Sequence, residues 1–166
     1  MNQNADDVPN RFLPRIRQEL GKLPLTEDEK NKLIEPLLKN AAFLDTRGGR
    51  SETGGISEDS TFFDFDSRIR DVVSAFEDSG LSYSKYLQAL VRMPQLLNNS
   101  PDKIIANING VVETLADEGL TTRAYLTAAF AEPSLLLRSP ATVEHNIRET
   151  AARLGIPVTS YIKAAN

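Results

Sequence analysis

Residues 100–108 read SPDKIIANI, and residues 139–147 read SPATVEHNI. Both stretches open on Ser-Pro and close on Asn-Ile, 39 residues apart. Shifted by that amount, the C-terminal half falls on itself with 13 identities and no gap. Gly80-Leu81 lies on Gly119-Leu120, Tyr86-Leu87 on Tyr125-Leu126 and Ala89 on Ala128. Pro94 lies on Pro133, Leu96-Leu97 on Leu135-Leu136 and Leu115 on Leu154. Self-similarity at a fixed period is the signature of a repeat architecture.

Each repeated position has a physical reason. Ile104, Ile108, Val111, Val112 and Leu115 follow helical spacing and form one apolar stripe. Ser100 stands where its hydroxyl accepts from a free N–H of the first turn. Pro101 follows at the first helical position, where its missing donor costs nothing. Gly119 suits a left-handed residue closing the helix. This reading predicts a helix over about 101–118, with copies near 62–79 and 140–154. A preceding helix starts after each Gly-Leu, with Ser82 or Thr121 as N-cap. It buries Tyr86, Leu87, Leu90 and Val91 in one copy, and Tyr125, Leu126, Ala129 and Phe130 in the next. Pro94 and Pro133 end it, because proline inside a helix costs about 3 kcal/mol. The Pro-x-Leu-Leu segment then predicts a tight or 3₁₀ turn whose leucines fill the gap between the helices.

The repeat extends in both directions. Moved back by 39 residues, the stripe falls on Phe65, Ile69, Val72, Val73 and Phe76, all apolar. Forward, Gly155-Ile156 opens a further copy, with Tyr161-Ile162 and Ala164 matching at an offset of 36. That copy is incomplete at Asn166 and reads either as a truncated cap or, as we expect, as part of a longer array. A two-helix unit cannot bury its stripe alone and needs stacked neighbours. The expected fold is therefore all-α: an α-solenoid of stacked helical hairpins, right-handed or curved.

In the N-terminal half, Phe12, Ile16 and Leu20 predict a short amphipathic helix over 10–21. Thr26 and Glu29 form a capping box. It opens a helix carrying Leu33, Ile34, Leu37, Leu38 and Phe43, with Pro36 placed to kink it. Pro36-Leu-Leu-Lys-Asn40 weakly resembles Pro94-Gln-Leu-Leu-Asn98, as a degenerate earlier copy would. Residues 46–60, TRGGRSETGGISEDS, carry no apolar pattern and read as a flexible loop. The organisation expected is a helical cap over 1–45, this loop, and repeats over 61–166. The repeats divide at 61–79, 80–118, 119–154 and an incomplete 155–166.

Composition narrows the classes of function. A chain of 166 residues with 40% hydrophobic and 25% charged residues suits one soluble globular domain. No apolar run reaches the roughly 18 residues of a membrane span, and MNQNADDVPN has no secretory pattern. There is no Cys, hence no disulfide or thiolate metal site, which fits the cytoplasm or another reducing compartment. The net charge of −4 argues against a general polyanion binder. It is uneven: residues 1–79 hold 11 basic and 16 acidic side chains, residues 80–166 hold 8 and 7.

The pattern Gly-Leu, helix, Pro-x-Leu-Leu, Ser-Pro, Ile-rich helix, Gly resembles the repeats of the mitochondrial transcription termination factor (mTERF) family, over about residues 61–166. The matching positions are Gly80, Leu81, Pro94, Leu97, Ser100, Ile108 and Leu115, with Gly119, Leu120, Pro133, Leu136, Ser139, Ile147 and Leu154. The resemblance implies a curved solenoid that binds double-stranded nucleic acid through Arg and Lys on its concave face. Here no basic position recurs: Arg92 falls on Ala131, Lys85 on Ala124, Lys103 on Thr142. A distinct bacterial α-repeat family is the alternative.

Candidate contact residues are Arg92, Arg123, Arg138, Arg148 and Arg153, together with the recurring pair Asn107 and Asn146. Asparagine is a poor helix former, so its recurrence asks for a role. That role is either an amide bonded to a neighbouring turn between units or a ladder facing a ligand. His145, beside Glu144 and Glu149, reads as a surface histidine, and Asp64 and Asp66 as acids favoured by a helix N-terminus. Arg47-Gly-Gly-Arg50 lacks the rest of a phosphate loop. Tyr86, Tyr125 and Tyr161 read as core tyrosines with the hydroxyl at the edge. With no paired acids, nucleophile–base pair or phosphate loop, an enzyme is not expected, and no metal or cofactor is implied. The function expected is a monomeric scaffold docking a protein partner, the alternative being a module for double-stranded DNA or RNA.

Overall fold

A computed structural model describes residues 11–48 and 61–164. Among these the protein is all-helical, with eight α-helices and no strand. It divides into two compact units, Met1–Arg68 and Ile69–Asn166.

In the first unit, α1 (Leu13–Gly21) and α2 (Glu27–Gly48) pack together. Phe12, Ile16 and Leu20 are all buried, as their spacing predicts, against Leu33, Leu37 and Ala41 of α2 in the same core. Phe63, in the 3₁₀ turn Thr61–Phe63, adds its ring 5.5 Å from that of Phe12. Glu19 is buried too, its carboxylate held by Lys22 and Arg15 at 2.6 and 3.0 Å. Helix α2 continues through Pro36, so Pro36–Asn40 is helix here and not a turn like Pro94–Asn98. Phe43, expected in the stripe, is 52% exposed. The predicted loop begins late, because Thr46–Gly48 are still helical; its remainder, including Arg50, lies outside the described residues.

The capping box forms as read. Thr26 N–H donates to Glu29 Oε2 at 2.8 Å, and Glu29 N–H donates to Thr26 Oγ1 at 3.3 Å. The Thr26 N–H and hydroxyl bonds hold the Glu29 carboxyl below its ordinary pKa. A depressed acid stabilises the fold above its unfolded pKa and loses that effect as pH falls through the folded value. Glu29→Gln should therefore lower the melting temperature near neutral pH, with the gap to wild type closing in acid. Thermal melts of both proteins across that range would show it.

The second unit holds α3 from Ile69 onward (the helix spans Phe65–Phe76), then α4 (Tyr83–Arg92), α5 (Pro101–Thr114), α6 (Thr122–Ala131), α7 (Pro140–Leu154) and α8 (Val158–Ala164). Residues 83–114 and 122–154 carry the same three elements: a helix, a Pro-led 3₁₀ turn (Pro94–Asn98, Pro133–Leu137) and a second helix. The caps repeat as well. Ser82, Ser100, Thr121 and Ser139 each accept from the N–H three residues on.

Gly80, Gly119 and Gly155 have φ of +90°, +89° and +67°, a region open to glycine at no steric cost. Each sits in the same closing motif. The N–H of the following residue reaches back five positions, Leu81 to Phe76, Leu120 to Leu115 and Ile156 to Ala151. Bonds reaching back three residues tighten the chain from Leu115 to Gly119, so α5 stops at Thr114 and not near 118. The same geometry corrects one equivalence. Ala151, not Leu154, takes the place of Leu115 and is buried, while Leu154 is 61% exposed. The copies shorten by three residues at this closing turn.

Candidate interaction surface

The candidate side chains stand in different environments. Arg92, at the end of α4, donates to the carbonyls of Phe130 and Ala131 at 2.7 and 2.8 Å. Those carbonyls end α6 and lack helical partners, and the cation also suits the negative end of the helix. Arg92 thus ties one copy to the next. Arg92→Gln should cost about 1 kcal/mol of stability, read as a lowered urea midpoint; a residue held only for a ligand would leave the midpoint unchanged.

Arg148 bridges Glu144 of its own helix and Glu118 of the preceding closing turn, both at 2.8 Å. Its donated bonds to these two carboxylates, Glu144 first, raise its pKa above the ordinary arginine value. Arg153 pairs with Glu149 at 2.8 Å. Arg123 and Arg138 are exposed and make no ion pair among the described residues. His145 is exposed, with Nε2 3.8 Å from Glu149. Asp64 accepts from Ser67 N–H at 3.3 Å, capping α3. Among the described residues no three His, Cys, Asp or Glu side chains converge as metal ligands would, and no helix is long and apolar enough to cross a membrane.

The two asparagines part company. Asn107 Nδ2 donates to the carbonyl of Leu136 at 3.4 Å, reaching from α5 to the 3₁₀ turn of the following copy. Of the two roles open to the recurring asparagine, this bond is the first, an amide on a turn of the next copy. Asn146, its counterpart, makes no side-chain hydrogen bond among the described residues and lines an open cleft of about 230 Å³. Tyr125, Leu135, Val143, Ile147 and Tyr161 share that cleft, and Arg138 stands on it. Tyr125 donates its hydroxyl to the Leu135 carbonyl at 3.0 Å. Burial pushes its pKa up to about 12, opposed by the charge of Arg138. The cleft therefore holds the phenols of Tyr125 and Tyr161, the Thr150 hydroxyl, the Asn146 carboxamide and the Arg138 guanidinium among aliphatic walls. These can hold an apolar side chain and bond a carbonyl.

Arg138 and Asn146 are thus brought together, while Arg92, Arg123, Arg148 and Arg153 are not on this cleft. Sequence reasoning missed Gly110. A Cβ there would lie 2.6 Å from Cγ of Pro140, so α5 and the start of α7 touch through the bare backbone. The signal was present: position 110 carries Gly where the next copy carries Glu149. In comparisons with family models, curated proteins and solved structures, nothing matches this chain.

Proposed function

We propose that this protein is a non-enzymatic α-solenoid scaffold, monomeric by itself, that docks a protein partner. Its two-helix units are read as mTERF-type units serving protein binding, with residues 1–45 as the helical cap. The observation that carries the reading is how the candidate arginines are used. Arg92 and Arg148 are engaged in contacts between consecutive copies, and Arg153 is matched by a carboxylate. A duplex-binding groove needs several unneutralised cations along one face, whereas here the open surface on the last complete copy is an apolar cleft.

Fluorescence anisotropy with a random DNA duplex and an RNA strand, at about 50 and about 200 mM salt, tests this directly. Binding that is absent at both salts is the expected result. Binding that falls steeply with salt would signal released counterions and would replace this reading with a nucleic-acid module using Arg123 and Arg138.

A further inference from the structure

We propose that Asn109–Gly110 is a self-modification site, at which the Asn109 side-chain amide is lost to attack by the following backbone nitrogen, and only while α5 is locally open. It is the one Asn-Gly pair in the sequence, and it stands inside a helix. The next copy carries Arg148-Glu149 at the same positions. Packing imposes the glycine, because a Cβ at Gly110 would lie 2.6 Å from Cγ of Pro140. The same missing side chain leaves the Gly110 nitrogen unhindered as a nucleophile. Asn109 is exposed, so water and hydroxide reach its carboxamide. Asn107, two residues earlier, differs on both counts. It is half-buried, and the β-branched Ile108 that follows crowds the attacking nitrogen.

The reaction is a deamidation. Hydroxide removes the Gly110 amide proton, the nitrogen bonds to Asn109 Cγ, and the Cγ–Nδ2 bond breaks as ammonia leaves with a proton from water. Water then opens the resulting succinimide at either carbonyl, giving aspartate or isoaspartate. Overall a water is consumed and an ammonia released, with no electron transfer. A folded α5 forbids the first bond. The Gly110 N–H belongs to the ladder of a helix running Pro101–Thr114, and helical dihedrals hold that nitrogen away from Cγ. The gate is firm, since Ile104, Ile108, Val111 and Leu115 of the same stretch are no more than 2% exposed. Its weak point lies at the site itself. Glycine is a poor helix former, and Thr114 donates its hydroxyl to the Gly110 carbonyl at 2.8 Å, a bond that bends helices. The isoaspartyl product runs the main chain through the side-chain methylene and so adds a backbone atom. The ladder cannot close across that extra atom, and Gly110 is carried away from Pro140. A passing opening of α5 is thereby made permanent.

The test compares the full chain with a capped peptide ANINGVVE (residues 106–113), which stands for the open helix. Both are incubated in mildly alkaline buffer and read by peptide mass spectrometry. A mass gain of one unit at Asn109 is expected in both, about tenfold or more slower in the folded chain, because only its open fraction reacts. Urea below the unfolding midpoint should raise the folded chain's rate toward the peptide's, with Asn107 unchanged throughout. Asn109→Gln, whose longer side chain would have to close a six-membered ring, should keep its fold and show no gain at that position. Chains converted to isoaspartate should unfold at a lower urea midpoint than unconverted ones. A folded chain that reacts nearly as fast as the peptide overturns the gate. A chain that stays unconverted even in urea overturns the site. Converted chains that keep the original midpoint overturn the permanent opening.

Discussion

Gly110→Val is expected to destabilise the second unit by about 3 kcal/mol or more. The added Cβ alone would lie 2.6 Å from Cγ of Pro140 and 3.3 Å from its Cβ. Pro140 cannot swing aside, because its ring is built into the first turn of α7 behind the Ser139 cap. The two helices would have to part, taking the Asn107–Leu136 bond with them. Gly110→Ala sets two effects against each other. Better helix propensity stabilises by about 1 kcal/mol, and overlap costs about 1–3 kcal/mol, so a net loss is expected. The counterpart gives the control. Glu149→Gly, in an exposed stretch of α7, should cost only about 1 kcal/mol. Urea denaturation of all three variants measures this, and a neutral Gly110→Val would mean that α5 and α7 do not pack as described.

The same comparison between copies separates a closed groove from an open one. Ile108→Ala should cost about 2–5 kcal/mol, since Ile108 is 1% exposed and its cavity would have little room to collapse. Ile147→Ala, at the matching position in the next copy, should cost well under half of that. Ile147 is half-buried on the cleft wall, and solvent reaches the space that truncation would leave. A partner seated in the cleft should raise the cost at Ile147 toward that at Ile108, because binding to the folded state alone adds its own free energy to stability. Equal costs in the free protein would show that the cleft is already closed.

Much of the local structure was legible because it depends on near neighbours in the chain. Ser100 and Ser139 cap because a hydroxyl three residues before an N–H can reach it, whatever lies beyond. Pro94 and Pro133 end helices through their own rings, and Gly80 and Gly119 close turns through their own missing Cβ. The Thr26–Glu29 box and the stripe Phe12, Ile16, Leu20 belong to the same class. The end of α5 was misread for a reason of the same kind. A hydrophobic residue one turn before a glycine cap looks like one more turn of helix, yet the closing motif uses Leu115 as its anchor and tightens the chain from there to Gly119.

The sequence by itself therefore determined the helices, their caps, the turns between them and the fact that one unit is written more than once. The helices, caps and turns arise from interactions within about five residues, where chain connectivity already holds the partners together; the repetition is read from the 39-residue self-similarity of the sequence. Tertiary structure alone decided the use of each polar residue. Arg92 and Arg148 look alike as candidate cations until one meets the carbonyls ending α6 and the other meets Glu118. Asn107 and Asn146 occupy the same place in the repeat, yet one is bonded to a turn 29 residues away and the other faces an open cleft. A side chain's role in such a fold depends on what the next unit places against it, and that neighbour lies beyond the reach of any local pattern.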